Sequence, residues 1–401
     1  MNAVIVGGGL AGTIAARTLR ELRPDLRIAI LGEERHPYYP RPNLIEYLAG
    51  RVPREKVFAF PEGWAARQGI EARLGAPAVR IVPGRRTVET AGGGAAPYDV
   101  LLLATGARAS RPPVPGIDKK GVFVLRTLDD ADELLARLGE GRRAVVLGGG
   151  LLGLEIARAV RQRGAEVEVV EIFDRLLPRQ LDGAAAAILK AQMERSGVAV
   201  RLGEKTEEVL GDGQARGLRF GSGATLAAEA VIVAAGIAPE TALARQAGLG
   251  VGRGVIVDDR LRTSAPGVYA AGDVAEHAGR IYGIIPAAFE QARAAAHNML
   301  GLDKPYGGTV PSNTLKVAGL HVTSVGEVHA AGPGLESLVR SDAAAGLYKK
   351  IVLREGRLVG AIWMGTAKGA AEIGRLTALK KDVERRKEEL LEENFDFGEV
   401  P

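Results

Sequence analysis

Two apolar segments of the chain, each followed by a glycine-rich turn, share one pattern. Residues 4–6 read VIV and residues 145–147 read VVL, and the turns that follow them read GGGLAG at 7–12 and GGGLLG at 148–153. A short apolar run bounded by a turn is typical of a buried strand. We expect a helix after each turn, so the pattern predicts two similar strand–turn–helix units.

The glycines of both turns have steric roles that suit a dinucleotide site. In the motif G-x-G-x-x-G, the first glycine permits a tight turn, the second lets backbone N–H groups approach a pyrophosphate, and the third lets the helix pack on the strand. The helix N-terminus adds free N–H groups and a positive dipole end. The residues predicted to bind phosphate are Gly7, Gly9, Leu10, Ala11 and Gly12 in the first turn, and Gly148, Gly150, Leu151, Leu152 and Gly153 in the second. One motif is weak evidence, but two in the same context indicate two dinucleotide sites.

Acidic residues follow the first turn at the distance where dinucleotide folds hold a ribose. A helix over 13–22 and a strand over 27–31 lead to Glu33 and Glu34. An acid about 20 residues after the glycines accepts hydrogen bonds from a ribose hydroxyl. We expect Glu33 in this role, with Glu34 as the alternative, while two exposed loop carboxylates would be the simpler explanation.

Glu171 occupies the same place in the second unit, at the end of a strand predicted over 166–170. A carboxylate there accepts hydrogen bonds from a ribose 2′-hydroxyl and repels a 2′-phosphate. This favours NADH over NADPH, although Arg175 lies close in the sequence and weakens the inference.

Three further apolar strands, over 98–104, 230–237 and 268–273, end in small residues or an acid. Ligands bind at the carboxyl ends of the strands in a parallel sheet. The candidate residues at these ends are Ala104, Thr105 and Gly106, then Ala235 and Gly236, then Gly272 and Asp273. An alanine-rich helix over 287–300 follows, and it begins with Ala287 and Ala288.

Towards the C-terminus, the pattern of apolar positions no longer alternates between strands and helices. Segments 347–353 and 357–364 predict a hairpin, and with strands within 314–327 they predict a small antiparallel domain. A charged helix is expected over 376–393. It is predicted to be solvated or packed at an edge, and docking of a partner is the alternative.

Together these elements predict an α/β fold, with two Rossmann-like dinucleotide-binding domains and a small antiparallel α+β C-terminal domain. We expect the first domain at 1–111 and 241–305, the second inserted at 112–240, and the C-terminal domain with its charged tail at 306–401.

The composition of the chain excludes several classes of function. The chain has 401 residues, 25% of them charged, and a net charge of +5 without a block of one sign, so we expect no nucleic-acid binding. It contains no cysteine, which excludes disulfides, cysteine-bound zinc, iron–sulfur clusters and any thiol relay within it. The five histidines have no metal-ligand spacing, so no metal site is predicted. No signal-peptide pattern and no apolar run of ~18–20 residues is evident, so we expect a cytoplasmic protein without a membrane span.

The ordered motifs over roughly residues 1–300 resemble the pyridine nucleotide–disulfide oxidoreductase superfamily. The matching elements are the two glycine turns, Ala104-Thr105-Gly106 and the segment VYAAGD at 268–273. The segments PYYPRP at 37–42 and TLKVAG at 314–319 are similar to those of NADH:rubredoxin reductases and of the flavin module of NAD(P)H nitrite reductases. The resemblance implies FAD in the first dinucleotide domain and NADH in the second.

The resemblance also implies roles for individual residues. Gly7, Gly9 and Gly12 would hold the FAD pyrophosphate, Glu33 the adenosine ribose, Asp273 the pyrophosphate–ribityl region, and the helix start at Ala287 and Ala288 the flavin pyrimidine edge. Arg41, followed by Pro42, would lie near flavin N5, where relatives carry lysine; arginine cannot donate a proton there.

The resemblance implies catalytic roles for two more residues. Glu155 would contact the nicotinamide carboxamide, and the alternative is a first-turn acid that complements the helix dipole. Lys316 would approach the flavin from the C-terminal domain.

The implied activity is hydride transfer from NADH to flavin N5, followed by electron delivery to a small redox protein such as rubredoxin, without a redox-active cysteine. The alternative acceptors are quinone, a nitrite-reducing partner and oxygen. A nucleotide-sensing flavoprotein is an alternative of another class. The sequence leaves open whether the protein is a monomer or a homodimer.

Overall fold

The computed structural model describes residues 1–329 and 332–400. Its helices are α1 (Leu10–Leu22), α2 (Pro42–Leu48), α3 (Trp64–Arg67), α4 (Leu128–Arg137), α5 (Leu151–Gln162), α6 (Gly183–Arg195), α7 (Ala242–Gln246), α8 (Ile285–Met299) and α9 (Ala370–Ala378). Among these residues, no helix has the length and apolar character needed to cross a membrane.

The strands of the first half of the chain are β1 (Asn2–Val6), β2 (Arg27–Leu31), β3 (Ile70–Arg73), β4 (Ala78–Val82), β5 (Thr87–Thr90), β6 (Ala95–Pro97), β7 (Val100–Leu103), β8 (Ala107–Ala109), β9 (Val122–Phe123), β10 (Arg143–Leu147), β11 (Glu166–Glu171) and β12 (Val198–Leu202). Those of the second half are β13 (Thr206–Leu210), β14 (Gly217–Phe220), β15 (Thr225–Ala227), β16 (Ala230–Val233), β17 (Ile237–Pro239), β18 (Val255–Val257), β19 (Val268–Ala270), β20 (Ala275–His277), β21 (Ser312–Val317), β22 (Leu320–Gly326), β23 (Leu335–Asp342), β24 (Leu347–Arg354) and β25 (Arg357–Met364).

The first of two compact units comprises residues 1–43, 52–108 and 237–309. Its centre is a parallel sheet in the order β19–β7–β1–β2–β3. Val4 of β1 pairs with β2 on one side and β7 on the other, and strands enclosed in this way need apolar side chains on both faces. Helices α1 and α8 pack against each other through alanines, which let their backbones approach closely.

The second unit comprises residues 44–51, 109–236 and 310–401. It contains a parallel sheet in the order β12–β11–β10–β16–β9 and an antiparallel sheet in the order β21–β22–β25–β24–β23. The predicted α/β fold class is confirmed, and β24 and β25 form the predicted hairpin. The four-segment domain division stays a prediction.

Helix α6 joins the two sheets of this second unit. Asp182 caps its N-terminus, accepting a hydrogen bond from the Ala185 N–H at 3.1 Å. The same carboxylate accepts from the Tyr348 hydroxyl at 2.7 Å and from Lys350 Nζ at 3.0 Å, both on β24. Burial alone would raise the pKa of Asp182, but the hydrogen bonds from Tyr348, Ala185 and Lys350 lower it below its usual value. One carboxylate thus holds both a helix end and a strand.

The predicted charged helix over 376–393 is wrong. Helix α9 ends at Ala378, and the described residues after it form short 3-10 turns and a β-bridge at Asp382. The reason is apolar packing, because Leu390 and Leu391 are buried in the core of the C-terminal sheet, and Phe397 packs against it. The tail is therefore part of this core.

Lys349, on β24, lies beneath this tail and is only 3% exposed. Its ammonium donates to the carbonyl oxygens of Leu391 and Glu392, both at 3.1 Å, and lies 4.3 Å from the centroid of a Trp363 ring. Burial lowers the pKa of Lys349. Two tail carbonyls therefore compensate a buried positive charge.

Candidate functional site

The first glycine turn has one closed side and one open side. Gly7 has φ +112°, and a Cβ there would lie 2.1 Å from the Ala104 carbonyl oxygen. A Cβ on Gly12 would lie 1.9 Å from the carbonyl oxygen of Gly7. By contrast, a Cβ on Gly9 would meet no atom within 4 Å. The first and third glycines are therefore required by the fold, and the second faces open space.

The second turn repeats this arrangement in the other unit. A Cβ on Gly148 would lie 2.5 Å from the Ala234 carbonyl oxygen, and one on Gly153 would lie 1.9 Å from that of Gly148. Gly150, like its counterpart, has nothing within 4 Å of its Cβ position. Two sites with the same geometry thus lie in separate units.

Both turns fit a pyrophosphate. Gly9 and Gly150 are the N-caps of α1 and α5, and neither helix has a side-chain cap or an acid in its first turn. The first backbone N–H groups of each helix are thus left for an anion, which the helix dipole also favours. Leu10, Ala11, Leu151 and Leu152 form the first turns of these helices.

Three predicted FAD-site segments meet in the first unit. A Cβ on Gly272 would lie 3.0 Å from Cβ of Ala11 and 3.9 Å from Cβ of Ala288. The Gly272 N–H donates to Gln291 Oε1 of α8 at 2.8 Å. The loop that carries Asp273 therefore lies beside the N-termini of α1 and α8. Helix α8 has no acid in its first turn, which also contains Ala287.

The strand end at Ala104, Thr105 and Gly106 is held by Glu240, a residue that the sequence did not single out. The Thr105 hydroxyl donates to the Glu240 carbonyl oxygen at 2.8 Å, and the Glu240 N–H donates to the Gly106 carbonyl oxygen at 2.9 Å. In the second unit, Gly236 has φ +96°, and the strand predicted over 230–237 ends earlier, at Val233. Ala235 lies in the turn between Val233 and Gly236.

Glu33 and Glu34 have different surroundings. The Glu34 carboxylate accepts from Arg41 Nη2 at 2.6 Å and from the Tyr39 hydroxyl. Glu33 is exposed and pairs with Arg108 at 3.3 Å. The Glu33 side chain is 64% exposed and that of Glu34 30%, so Glu33 is the more accessible carboxylate for a ribose.

The ion pair with Glu34 also affects the pKa of Arg41. Burial would lower the pKa of this guanidinium, but the hydrogen bond and charge of Glu34 raise it above its usual value. Arg41 is thus engaged by Glu34, its placement near flavin N5 stays a prediction, and Pro42, the first residue of α2, follows it.

Glu171 is 6% exposed, and its carboxylate lies against the second glycine turn. The Gly149 N–H donates to one carboxylate oxygen at 2.6 Å, and the Phe173 N–H donates to the other at 3.0 Å. Arg175 pairs with Asp174 at 2.8 Å. Two backbone donors thus hold the Glu171 carboxylate beside the turn, where a ribose acceptor is expected.

Glu155 is the fifth residue of α5, and the first turn of this helix contains no acid, so the dipole explanation does not apply. Burial, followed by the charge of Glu46, raises the pKa of Glu155 to about 7. No sequence motif points to Glu46. Lys316 lies exposed on β21, opposite His321, and β21 packs against α5. Glu155 and Lys316 therefore belong to the second unit and Arg41 to the first.

The chain is similar to known proteins over most of its length. Residues 1–296 match the family model described as pyridine nucleotide-disulphide oxidoreductase, and residues 311–381 match that of the rubredoxin NAD+ reductase C-terminal domain. The ferredoxin–NAD(+) reductase component of the biphenyl dioxygenase system of Paraburkholderia xenovorans (strain LB400) is 37% identical, over 85% of this chain and 84% of the relative. A solved complex of putidaredoxin reductase with putidaredoxin contains a chain with a TM-score of 0.89 and 27% identity, covering 100% of this chain and 97% of that one.

A second group of relatives is longer than this chain. The nitrite reductase (NAD(P)H) of Bacillus subtilis (strain 168) is 38% identical over 90% of the chain, but the match covers 45% of the relative. The chain spans about half or less of the length of the nitrite reductases it matches.

Proposed function

The chain belongs to the pyridine nucleotide-disulphide oxidoreductase family of FAD- and NAD(P)H-dependent enzymes, and we propose that it passes electrons from NADH to a small redox protein. The observation that carries this proposal is the pair of glycine turns, each with an open second glycine and an uncapped helix N-terminus. One site suits FAD and the other a nicotinamide nucleotide.

The side chains of the first unit are proposed to hold FAD along its length. Gly7, Gly9 and Gly12 would receive the pyrophosphate, Glu33 the adenosine ribose, and the loop at Asp273 the ribityl side. The N-terminus of α8 would face the flavin pyrimidine edge, where its dipole stabilises negative charge. When bound, FAD supplies hydride acceptance and subsequent electron release.

The second unit is proposed to bind and orient the nicotinamide nucleotide. Gly148, Gly150 and Gly153 would receive its pyrophosphate, and Glu155 would contact the nicotinamide carboxamide. Lys316 stays a candidate for approach to the flavin. Since the chain has no cysteine, no thiol of this chain can carry electrons between flavin and acceptor.

We expect Glu171→Gln to reduce the preference for NADH over NADPH about ten-fold. Glutamine keeps the shape of the side chain that lies against Gly149, but it removes the charge that repels a 2′-phosphate. The ratio of kcat/KM for the two nucleotides measures this effect. Glu168→Gln, on the same strand but paired with Arg201, is the matched control. An unchanged ratio in Glu171→Gln would remove this residue from nucleotide selection.

A small redox protein is proposed as the acceptor because residues 311–381 match the rubredoxin reductase domain and a solved relative is bound to putidaredoxin. An anaerobic stopped-flow experiment with the FAD-loaded protein tests this. We expect NADH to bleach the flavin, and rubredoxin or ferredoxin to reoxidise it at least ten times faster than quinone or oxygen. A colourless protein that rejects FAD would refute the proposal. Fast bleaching without reoxidation by any acceptor would instead favour a nucleotide sensor.

A nitrite-reducing partner is the second candidate, because the nitrite reductase of Bacillus subtilis matches over 90% of the chain. In that case the same module would deliver electrons to a separate nitrite-reducing centre. Reoxidation by such a centre, with no response to rubredoxin or ferredoxin, would identify this alternative.

A further inference from the structure

A second carboxylate, Glu46, lies near the proposed nicotinamide-contacting residue Glu155. Residues 44–51 of the second unit pack against α5: Arg163 Nε donates to the Leu48 carbonyl oxygen at 2.9 Å, and Arg51 donates to Gln162 Oε1 at 2.9 Å. These bonds fix the segment that carries Glu46 on the helix that carries Glu155.

Two arginines hold the Glu46 carboxylate in this position. Arg51 Nη1 approaches its two oxygens at 3.2 and 3.1 Å, and Arg158 Nη2 lies 3.8 Å from Oε1. Arg158 is three residues after Glu155 on α5, so the two side chains are neighbours on the helix surface. Arg158 also has a buried Nε without a hydrogen-bond partner among the described residues. The Glu46 carboxylate is therefore anchored next to a half-buried acid.

Other charged groups on the elements that pack against α5 are paired elsewhere or face away. Arg143 of β10 pairs with Glu166 of β11, and Arg201 of β12 pairs with Glu168 of β11. Glu171 is bonded to the backbone of the second glycine turn. Lys316 alternates with the buried Leu315 and Val317 and so points to the exposed face of β21. After burial, Glu46 supplies the charge that raises the pKa of Glu155.

We propose that Glu46, held against α5 by Arg51 and Arg158, is a positioning residue that disfavours the charged form of the neighbouring Glu155, so that ionisation of Glu155 makes the affinity for NAD+ depend on pH. This inference rests on the proposed function, because it places Glu155 at the nicotinamide. The oxidised nicotinamide ring is positively charged and the reduced ring is neutral. A Glu155 carboxylate therefore attracts the ring of NAD+ more than that of NADH, and a protonated carboxyl does not.

The first test follows the Glu155 carboxyl directly. In the FAD-loaded protein labelled with 13C-glutamate, NMR titration without nucleotide should show a carboxyl with a midpoint near pH 7, and this signal should be missing in Glu155→Gln. In Glu46→Gln the midpoint should fall by about one pH unit or more, because a like charge is lost and both arginines are freed. Glu166→Gln, exposed on β11, should leave the midpoint in place.

The second test measures the dissociation constant of NAD+ for the oxidised holoenzyme between about pH 5.5 and 9. We expect NAD+ to bind more tightly as the pH rises through the Glu155 midpoint, with the transition displaced to lower pH in Glu46→Gln and absent in Glu155→Gln. A tetrahydro-NAD analogue with an uncharged ring should show no such transition.

The outcomes separate this inference from the proposed function. If NADH reduces the flavin but the Glu155 midpoint is the same in Glu46→Gln, burial alone sets the protonation state and the role of Glu46 is overturned. If the midpoint moves but NAD+ affinity shows no transition, Glu155 does not face the nicotinamide ring. Absence of flavin reduction by NADH in the wild-type protein would instead refute the proposed function.

Discussion

Replacing Gly12 with alanine is expected to lower the affinity for FAD more than about a hundred-fold, a loss of about 2.7 kcal/mol or more. The added Cβ would lie 1.9 Å from the Gly7 carbonyl oxygen, so α1 or the turn must move. Gly153→Ala creates the same clash with Gly148 in the second unit. It should remove reduction by NADH while the protein keeps its flavin.

The ratio of flavin to protein absorbance measures the first effect, and stopped-flow bleaching by NADH measures the second. Gly84→Ala is a suitable control, because its Cβ would meet nothing within 4 Å and the position lies outside both turns. Gly9→Ala and Gly150→Ala also have space for the Cβ, so they should leave the fold intact and weaken only the respective ligand. Full flavin content in Gly12→Ala would argue against the first turn as the FAD site.

Asp182→Ala is expected to destabilise the second unit by about 3–5 kcal/mol, the usual cost of leaving a largely buried charge unpaired. The change removes the N-cap of α6, the partner of the Tyr348 hydroxyl and the counter-charge of Lys350. Thermal unfolding followed by circular dichroism should show a midpoint lowered by roughly 10 °C.

Three further variants separate the contributions of the cap and of the charge pair to this loss of stability. Asp182→Asn keeps a cap but no charge, so it should cost less. The double variant Asp182→Ala with Lys350→Met should recover much of the loss, because no buried charge is then left without a partner. Asp212→Ala, in an exposed turn, should change little. Equal destabilisation in the single and double variants would show that the charge pair is not the cause.

The stabilisation contributed by Asp182 depends on pH in a defined direction. Folding lowers the pKa of the Asp182 carboxyl. The contribution of this group to the free energy of unfolding is therefore complete above the pKa of an unfolded aspartate, about 4, and is lost as the pH falls through the lower pKa of the folded state. The difference in stability between the wild-type protein and Asp182→Asn should therefore shrink in acid.

The sequence predicted those parts of the fold that depend on local rules. The apolar strand predicted over 98–104 is buried on both faces at Val100–Leu103, and the glycines at 7 and 148 adopt backbone angles that other residues rarely take. The hairpin of β24 and β25 followed from two strand-like segments joined by a turn at Glu355 and Gly356. Such features are visible within a few consecutive residues.

The missed features depend on pairs of residues that are brought together by the tertiary fold. Neither the engagement of Arg41 by Glu34 nor the position of Glu46 near Glu155 has a periodic signal in the sequence. The helix prediction for the tail fails for a related reason: its many charges favoured a helix that is solvated or packed at an edge, whereas Val383, Leu390 and Leu391 are buried in the core of the C-terminal sheet.

The buried ammonium of Lys349 has a practical consequence. Its two carbonyl partners come from the tail, and its other neighbour is the ring of Trp363. If a protease removed the residues after 388, water would have to reach this ammonium or the strand would have to move. Either change alters the surroundings of an indole, so Trp363 fluorescence serves as a built-in optical reporter of whether the end of the chain is in place.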